Sequence, residues 1–236
     1  MQFNIDKLLF FDIESVSQYE NLYHMPEKHL EMWMKYYDSF RKKVTDESRL
    51  LLHKEGSKSY YNEVYRQTAA FFPEFGKVAC VSMAFVTKGS VKYDSFYGED
   101  EIKILKEVRK VFDKIDPLGF DLCGQSIKMF DIPFLGKRYF INGLKPPTLF
   151  PTHNTKPWEL RVLDTKEVWQ FGNNWSLSSL DLQCLVLDID SPKNGDVKGD
   201  NVTTNYWSGN HEEIKEYCER DVKALVDIIT KLNDLK

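Results

Sequence analysis

Residues Phe10–Ser15 read FFDIES and follow Leu8-Leu9, so two carboxylates, Asp12 and Glu14, stand directly behind a solid apolar run. Such a run reads as a buried strand. On a strand, residues two apart point to the same face. A carboxylate withdrawn from water is costly unless something compensates it. Asp12 and Glu14 therefore either meet water at the strand end or hold something positive.

The surrounding composition narrows the choice. The chain has 236 residues, a net charge of −4 and 14% aromatic residues, which fits one large domain or two small ones. The acidic balance argues against a dedicated nucleic-acid binder with a strongly basic face. It leaves room for an enzyme that grips a few nucleotides locally. No apolar run is long enough to span a membrane, and the start, MQFNIDKLLFF, lacks the cationic lead of a signal peptide. Cys80, Cys123, Cys184 and Cys218 are scattered, without zinc-ligand spacing or a disulfide framework. A reduced, cytoplasmic setting is the expectation.

Along the chain, LLFFDI is expected as the first strand. Residues 17–70 carry apolar positions at helical spacing, as in EKHLEMWMKYYDSFRKKV and SYYNEVYRQTAAFF, and read as a helical insertion. KVACVSMAFV and SVKYDSFY read as a hairpin through Lys88-Gly89. EDEIKILKEVRKVFDKI is an amphipathic helix with Ile102, Leu105, Val108 and Phe112 on one face. GFDLCG is a short strand. The helix after it takes Pro133 in its first turn and Gly143 at its end. RVLDT is a further strand, SLSSLDLQCLVLDI a helix, and SPKNGDVKGDN a long loop. The last helix, NHEEIKEYCERDVKALVDIITKL, has Asn210 as its expected N-cap with Glu213 three residues on. The alternation predicts an α/β fold with a mixed sheet.

Two further acids stand where packing does not need them. Tyr217 and Asp221 are four apart on the last helix and share a face. Asp131 opens a helix directly after a short strand. Asp12, Glu14, Asp131 and Asp221 together describe a hard, all-oxygen site suited to Mg²⁺ or Mn²⁺. Two such ions about 3.5–4 Å apart form the clamp used in phosphoryl displacement, and a neighbouring tyrosine can orient water. Taken singly, each piece has an ordinary reading: acids end strands, tyrosines edge cores, and an aspartate before proline caps a helix. Their combination is what carries weight.

FFDIES, GQSIKMFDIPFL and YCERD resemble the three motifs of the DEDDy 3′–5′ exonucleases of the ribonuclease H-like superfamily. The resemblance is greatest to the predicted exonucleases related to the proofreading domain of family-B DNA polymerases. It covers nearly the whole chain, residues 17–70 less firmly. It implies a single 3′–5′ exonuclease domain over 1–236, freestanding, with a ribonuclease H-like mixed five-stranded sheet flanked by helices and a helical insertion after the first strand. It further implies that Asp12, Glu14, Asp131 and Asp221 hold two divalent cations, Mg²⁺ or Mn²⁺, and that Tyr217 positions the attacking water. Ser15, Ser126 and Phe130 are the implied substrate contacts. The implied partner is single-stranded nucleic acid with a free 3′ end, DNA before RNA. The alternatives are an RNA exonuclease of the ribonuclease D kind and a catalytically weak binding relative. Gln125 and Ser126 stand where the family often has histidine and asparagine, which bears on how the terminal nucleotide is held.

Softer candidates have mainly structural readings. Lys137 and Arg138 could touch a phosphate but read first as a solvated face. Arg41-Lys42-Lys43 with Tyr36, Tyr37, Tyr60 and Tyr61 could guide a single strand, although helical spacing suits packing equally well. His24, His29, His53, His153 and His211 have no ligand spacing.

Overall fold

The computed structural model describes residues 2–41, 58–151 and 154–235. Lys42, Lys43, His53 and His153, and the side chains of Tyr37, Arg41, Tyr60 and Tyr61, lie outside the described residues. The apolar run opens β1, Leu8–Ser17. Leu9, Phe11 and Ile13 face one core and Leu8 and Phe10 the other, which is why the run is continuous rather than alternating. The strand continues beyond the expected end at Ile13. β2, Gly76–Thr87, pairs antiparallel with it as far as Ser17, with a register shift between Glu14 and Ser15. Asp12 and Glu14 therefore sit within a strand rather than at its tip.

β3, Ser90–Tyr97, follows through a tight turn in which Lys88 and Gly89 have φ of 52° and 76°, the left-handed pair that a two-residue hairpin needs. β4, Asp121–Gly124, runs parallel to β1, and β5, Val162–Asp164, runs parallel to β4. The result is the expected mixed five-stranded sheet, in the order β3-β2-β1-β4-β5.

Helices cover both faces. Helices α1, Glu27–Arg41, and α2, Lys58–Thr68, lie between β1 and β2 in sequence and gather around Trp33, Tyr65, Leu22, Met25 and Ala69. Tyr36 packs edge-on against Phe72, with ring centroids 5.5 Å apart. On α3, Glu101–Ile115, Asp100 caps the first turn by accepting from Lys103 N–H at 3.0 Å. Its buried face is Ile104, Leu105, Val108, Phe112 and Ile115, whereas Ile102 is 42% exposed. At ~100° per residue Ile102 falls roughly a third of a turn from the centre of that stripe, which corrects its assignment to the core. α4, Asp131–Ile141, carries Pro133 in its first turn and is followed by Gly143 at φ 67°.

α5, Thr165–Gln170, and α7, Val202–Trp207, are short helices that the sequence pattern did not reveal. α6 is limited to Leu180–Val186, because Ser179 caps it by accepting from Leu182 N–H at 3.3 Å. α8, His211–Asn233, lays Val222, Leu225, Val226 and Ile229 over Leu8 and Phe10 of β1. Each such side chain is worth about 1.5–3 kcal/mol when fully buried. The side chain of Asn210 makes no capping bond; its amide donates to Asn205 Oδ1 at 2.9 Å instead.

Arg138 is not on a solvated face. It is 2% exposed and holds Glu101 through Nε–Oε1 and Nη2–Oε2 contacts of 2.8 and 2.5 Å. It also donates to Pro73 O at 2.7 Å, while Glu101 accepts from Val78 N–H at 2.8 Å. The pair ties α3 and α4 to β2 and leaves Arg138 unavailable to a phosphate. Lys137 is exposed and pairs with Glu74 at 3.0 Å. Among the described residues no helix is long and apolar enough to cross a membrane.

Candidate active site

Asp12 and Glu14 project from β1 on the face covered by α8, opposite Ser82 and Cys80 of β2. The helix brings Tyr217 and Cys218 over this part of the sheet, against Val16, Ala79 and Cys80. Asp221 follows one turn later. Asp131 arrives from the other layer: at the first position of α4, its Oδ1 accepts from Ile13 N–H at 3.2 Å. One strand and the N-termini or middles of two helices thus deliver four carboxylates to one place. All four were named from the sequence, and the structure brings them together.

Their electrostatics follow from that crowding. Burial, then the charges of Asp131, Asp221 and Glu14, push the Asp12 carboxyl well above the ordinary range. Glu14, 9% exposed, is pushed up by burial and then by Asp221. Asp131, 4% exposed, is raised to about 7 by burial, against the lowering effect of its backbone hydrogen bonds. Asp221 is raised to about 6 by burial, while the Tyr217 phenol, Arg220 and Lys193 pull it down. The Tyr217 phenol is itself pushed up by burial and by Asp221, Glu14 and Asp12, so it stays protonated and can donate. Buried acids this close together raise one another's pKa, and a divalent cation held among them would offset that repulsion. Oxygen donors on three elements suit hard divalent cations.

A thiol stands beside the oxygen donors expected from the sequence. Donor atoms of Asp12, Glu14 and Cys218 lie within 4.8 Å of one another. Cys218 precedes Asp221 by three residues, so helical periodicity turns its sulfur toward the same site.

The expected substrate contacts border the acids. Ser15 Oγ donates to Ala70 O at 2.7 Å, fixing the turn that carries exposed Phe71. The Phe71 ring lies 6.4 Å from that of Phe130, the residue before Asp131. Ser126 has φ of 57°, and its N–H donates to Asp164 Oδ1 at 3.0 Å. Gln125 is turned away toward Ser178 O and Thr165. Asp164 was not singled out from sequence. It also accepts from Lys128 and Lys166 N–H at 3.2 and 3.0 Å, and so shapes the turn leading to Asp131. Its place at the end of a short strand was the available signal. Lys193 was also missed. It lies in the Gly- and Asp-rich loop that Arg220 anchors through Pro192 O at 3.0 Å. In the same loop, a Cβ on Gly199 would lie 3.8 Å from the Tyr217 hydroxyl.

Comparison with known proteins agrees with this architecture. No curated protein matches the chain. Among solved structures, the chain resembles the family B DNA polymerase from the hyperthermophilic archaeon Pyrobaculum calidifontis, with a TM-score of 0.56 and 13% identity. The likeness covers 95% of this chain and 24% of the polymerase, and at that identity it is one of fold. A family described as predicted 3′–5′ exonucleases related to the exonuclease domain of PolB matches residues 70–225. Asp131, Tyr217 and Asp221 fall inside that range, whereas Asp12 and Glu14 precede it and stand on geometry. With about two thirds of its length matched and the sheet in place, the chain belongs to this family of predicted 3′–5′ exonucleases related to the exonuclease domain of PolB.

Proposed function

We propose that the protein hydrolyses the last phosphodiester bond at the 3′ end of single-stranded DNA and releases nucleoside 5′-monophosphates. The observation that carries this reading is the convergence of Asp12, Glu14, Asp131 and Asp221, each with its carboxyl raised by burial among the others. Such a set is at ease only when cations neutralise it. Two divalent ions, Mg²⁺ or Mn²⁺, held by these four residues would polarise the phosphate and lower the pKa of the attacking water.

The chain's own groups do the positioning. Tyr217 keeps its proton and orients water toward the phosphorus, held in place by Asp221 one turn away. Water adds at phosphorus, and the 3′ oxygen of the preceding nucleotide leaves with a proton. Ser15, Ser126 and Phe130 hold the terminal nucleotide, with the partly exposed Phe130 ring offering a stacking surface. Residues 1–236 act as one exonuclease domain, with 17–70 as a helical insertion beside the site. Preference for DNA rests on the relation to the polymerase exonuclease domain. A reducing, cytoplasmic setting is supported by four buried, unpaired cysteines.

The test is a 5′-labelled single-stranded DNA oligonucleotide with Mn²⁺ or Mg²⁺, beside EDTA, Asp12→Ala and Asp221→Ala controls and a matched RNA. A ladder of one-nucleotide shortenings on DNA, absent in the controls, is expected. Cleavage of RNA alone would replace DNA by RNA as substrate. No cleavage of either would sink the reading.

A further inference from the structure

Cys218 is fully buried, and its Sγ lies 3.6 Å from Asp12 Oδ2 and 3.4 Å from Asp12 O. A second buried thiol stands beside it. Cys80 is the direct cross-strand partner of Glu14, so both side chains leave the sheet on the α8 face. The Cys80 and Cys218 thiols interact with each other, and Cys80 also acts electrostatically on Glu14. The carboxylate pair therefore has sulfur beside it as well as the oxygens of Asp131 and Asp221.

We propose that the Asp12, Glu14 and Cys218 side chains, with the Cys80 thiol beside Cys218, form a second metal-binding arrangement that takes a thiophilic divalent cation such as Zn²⁺ or Cd²⁺. Tetrahedral zinc with bonds of about 2.3 Å to sulfur and 2.0 Å to oxygen separates those two donors by about 3.5 Å. The observed Cys218 Sγ to Asp12 Oδ2 distance of 3.6 Å matches that edge. Thiolate selects soft or borderline ions and is a poor ligand for Mg²⁺. On binding, the cation displaces the Cys218 thiol proton to solvent and a metal–sulfur bond forms; no electrons are transferred. Because Asp12 and Glu14 are shared, this ion and the catalytic cations compete, and zinc becomes an inhibitor rather than an activator. The site shares those two acids with the proposed catalytic centre but does not require that centre to be active.

The test reads the metal rather than catalysis. The full chain, kept reduced with a phosphine, is titrated with Cd²⁺, and sulfur-to-metal charge-transfer absorption is followed. One equivalent should produce the band. It should persist in Cys123→Ala and Cys184→Ala and be lost in Cys218→Ser. Excess Mn²⁺ should reverse it. X-ray absorption of the zinc-loaded wild type should show a sulfur shell near ~2.3 Å, a result that needs no variant to fold. A wild-type protein without the band and without the sulfur shell overturns the proposal, as does a band that follows Cys123 or Cys184. Nuclease activity with Mg²⁺, measured separately, reports on the catalytic reading alone.

Discussion

Asp131 Oδ1 accepts the backbone N–H of Ile13 at 3.2 Å, joining the first turn of α4 to the strand that carries Asp12 and Glu14. The bond makes Asp131 both a charge in the cluster and a clamp on β1. Asp131→Asn keeps an acceptor for Ile13 while removing the charge. Asp131→Ala leaves a buried donor unsatisfied, at a cost of about 1–3 kcal/mol. Both variants should lose nuclease activity, but only the alanine should also lose stability, read by chemical denaturation of the metal-free proteins.

The raised carboxyls predict an unusual pH dependence of stability. Asp131 at about 7 and Asp221 at about 6 lie above the unfolded carboxylate range. Groups raised in the folded state contribute fully below their unfolded pKa and lose that contribution as pH rises through the folded one. The metal-free protein should therefore lose stability from about pH 4 to about pH 7. Mn²⁺ should oppose the loss, so the shift in Tm that it causes should grow with pH over the same window. A metal-induced shift that is flat with pH would contradict this account.

Tyr217 lowers the pKa of Asp221 and keeps its own proton. Tyr217→Phe removes the hydroxyl and spares the ring that packs beside Cys218. We expect cleavage to fall about 10- to 100-fold, the usual cost of removing a partner of a metal ligand. The fold should remain, and the Asp221 titration should move up.

Ser126 stands at φ 57°, in the left-handed region. Asparagine tolerates this conformation better than serine. Ser126→Asn should raise stability modestly, and equilibrium unfolding will show it. The Asp164 bond to the Ser126 backbone does not depend on the side chain and should survive.

Arg138 belongs to the architecture. Arg138→Ala would strand Glu101, 8% exposed, without its cation and should cost about 3–5 kcal/mol. Removing both charges as Arg138→Met with Glu101→Leu should cost clearly less. Were Arg138 a phosphate contact instead, the single variant would weaken substrate binding at unchanged stability.

The sequence by itself determined the order of the strands and of the longer helices, because buried strands and amphipathic helices write their periods directly into the chain. It also singled out Asp12, Glu14, Asp131 and Asp221 as acids that packing does not ask for, and these are the carboxyls that the fold brings together. Tertiary structure decided the rest. β1 runs on to Ser17 because β2 pairs with it there, and pairing is not a local property. Short helices such as Val202–Trp207 are held by neighbours rather than by a periodic face of their own. Arg138 and Lys137 adjoin in sequence, yet one is buried against Glu101 and the other is open to water. The thiols of Cys80 and Cys218 meet across 138 positions of chain, one on a strand and one on a helix. Only the closing of the last helix over the sheet could place sulfur beside carboxylate.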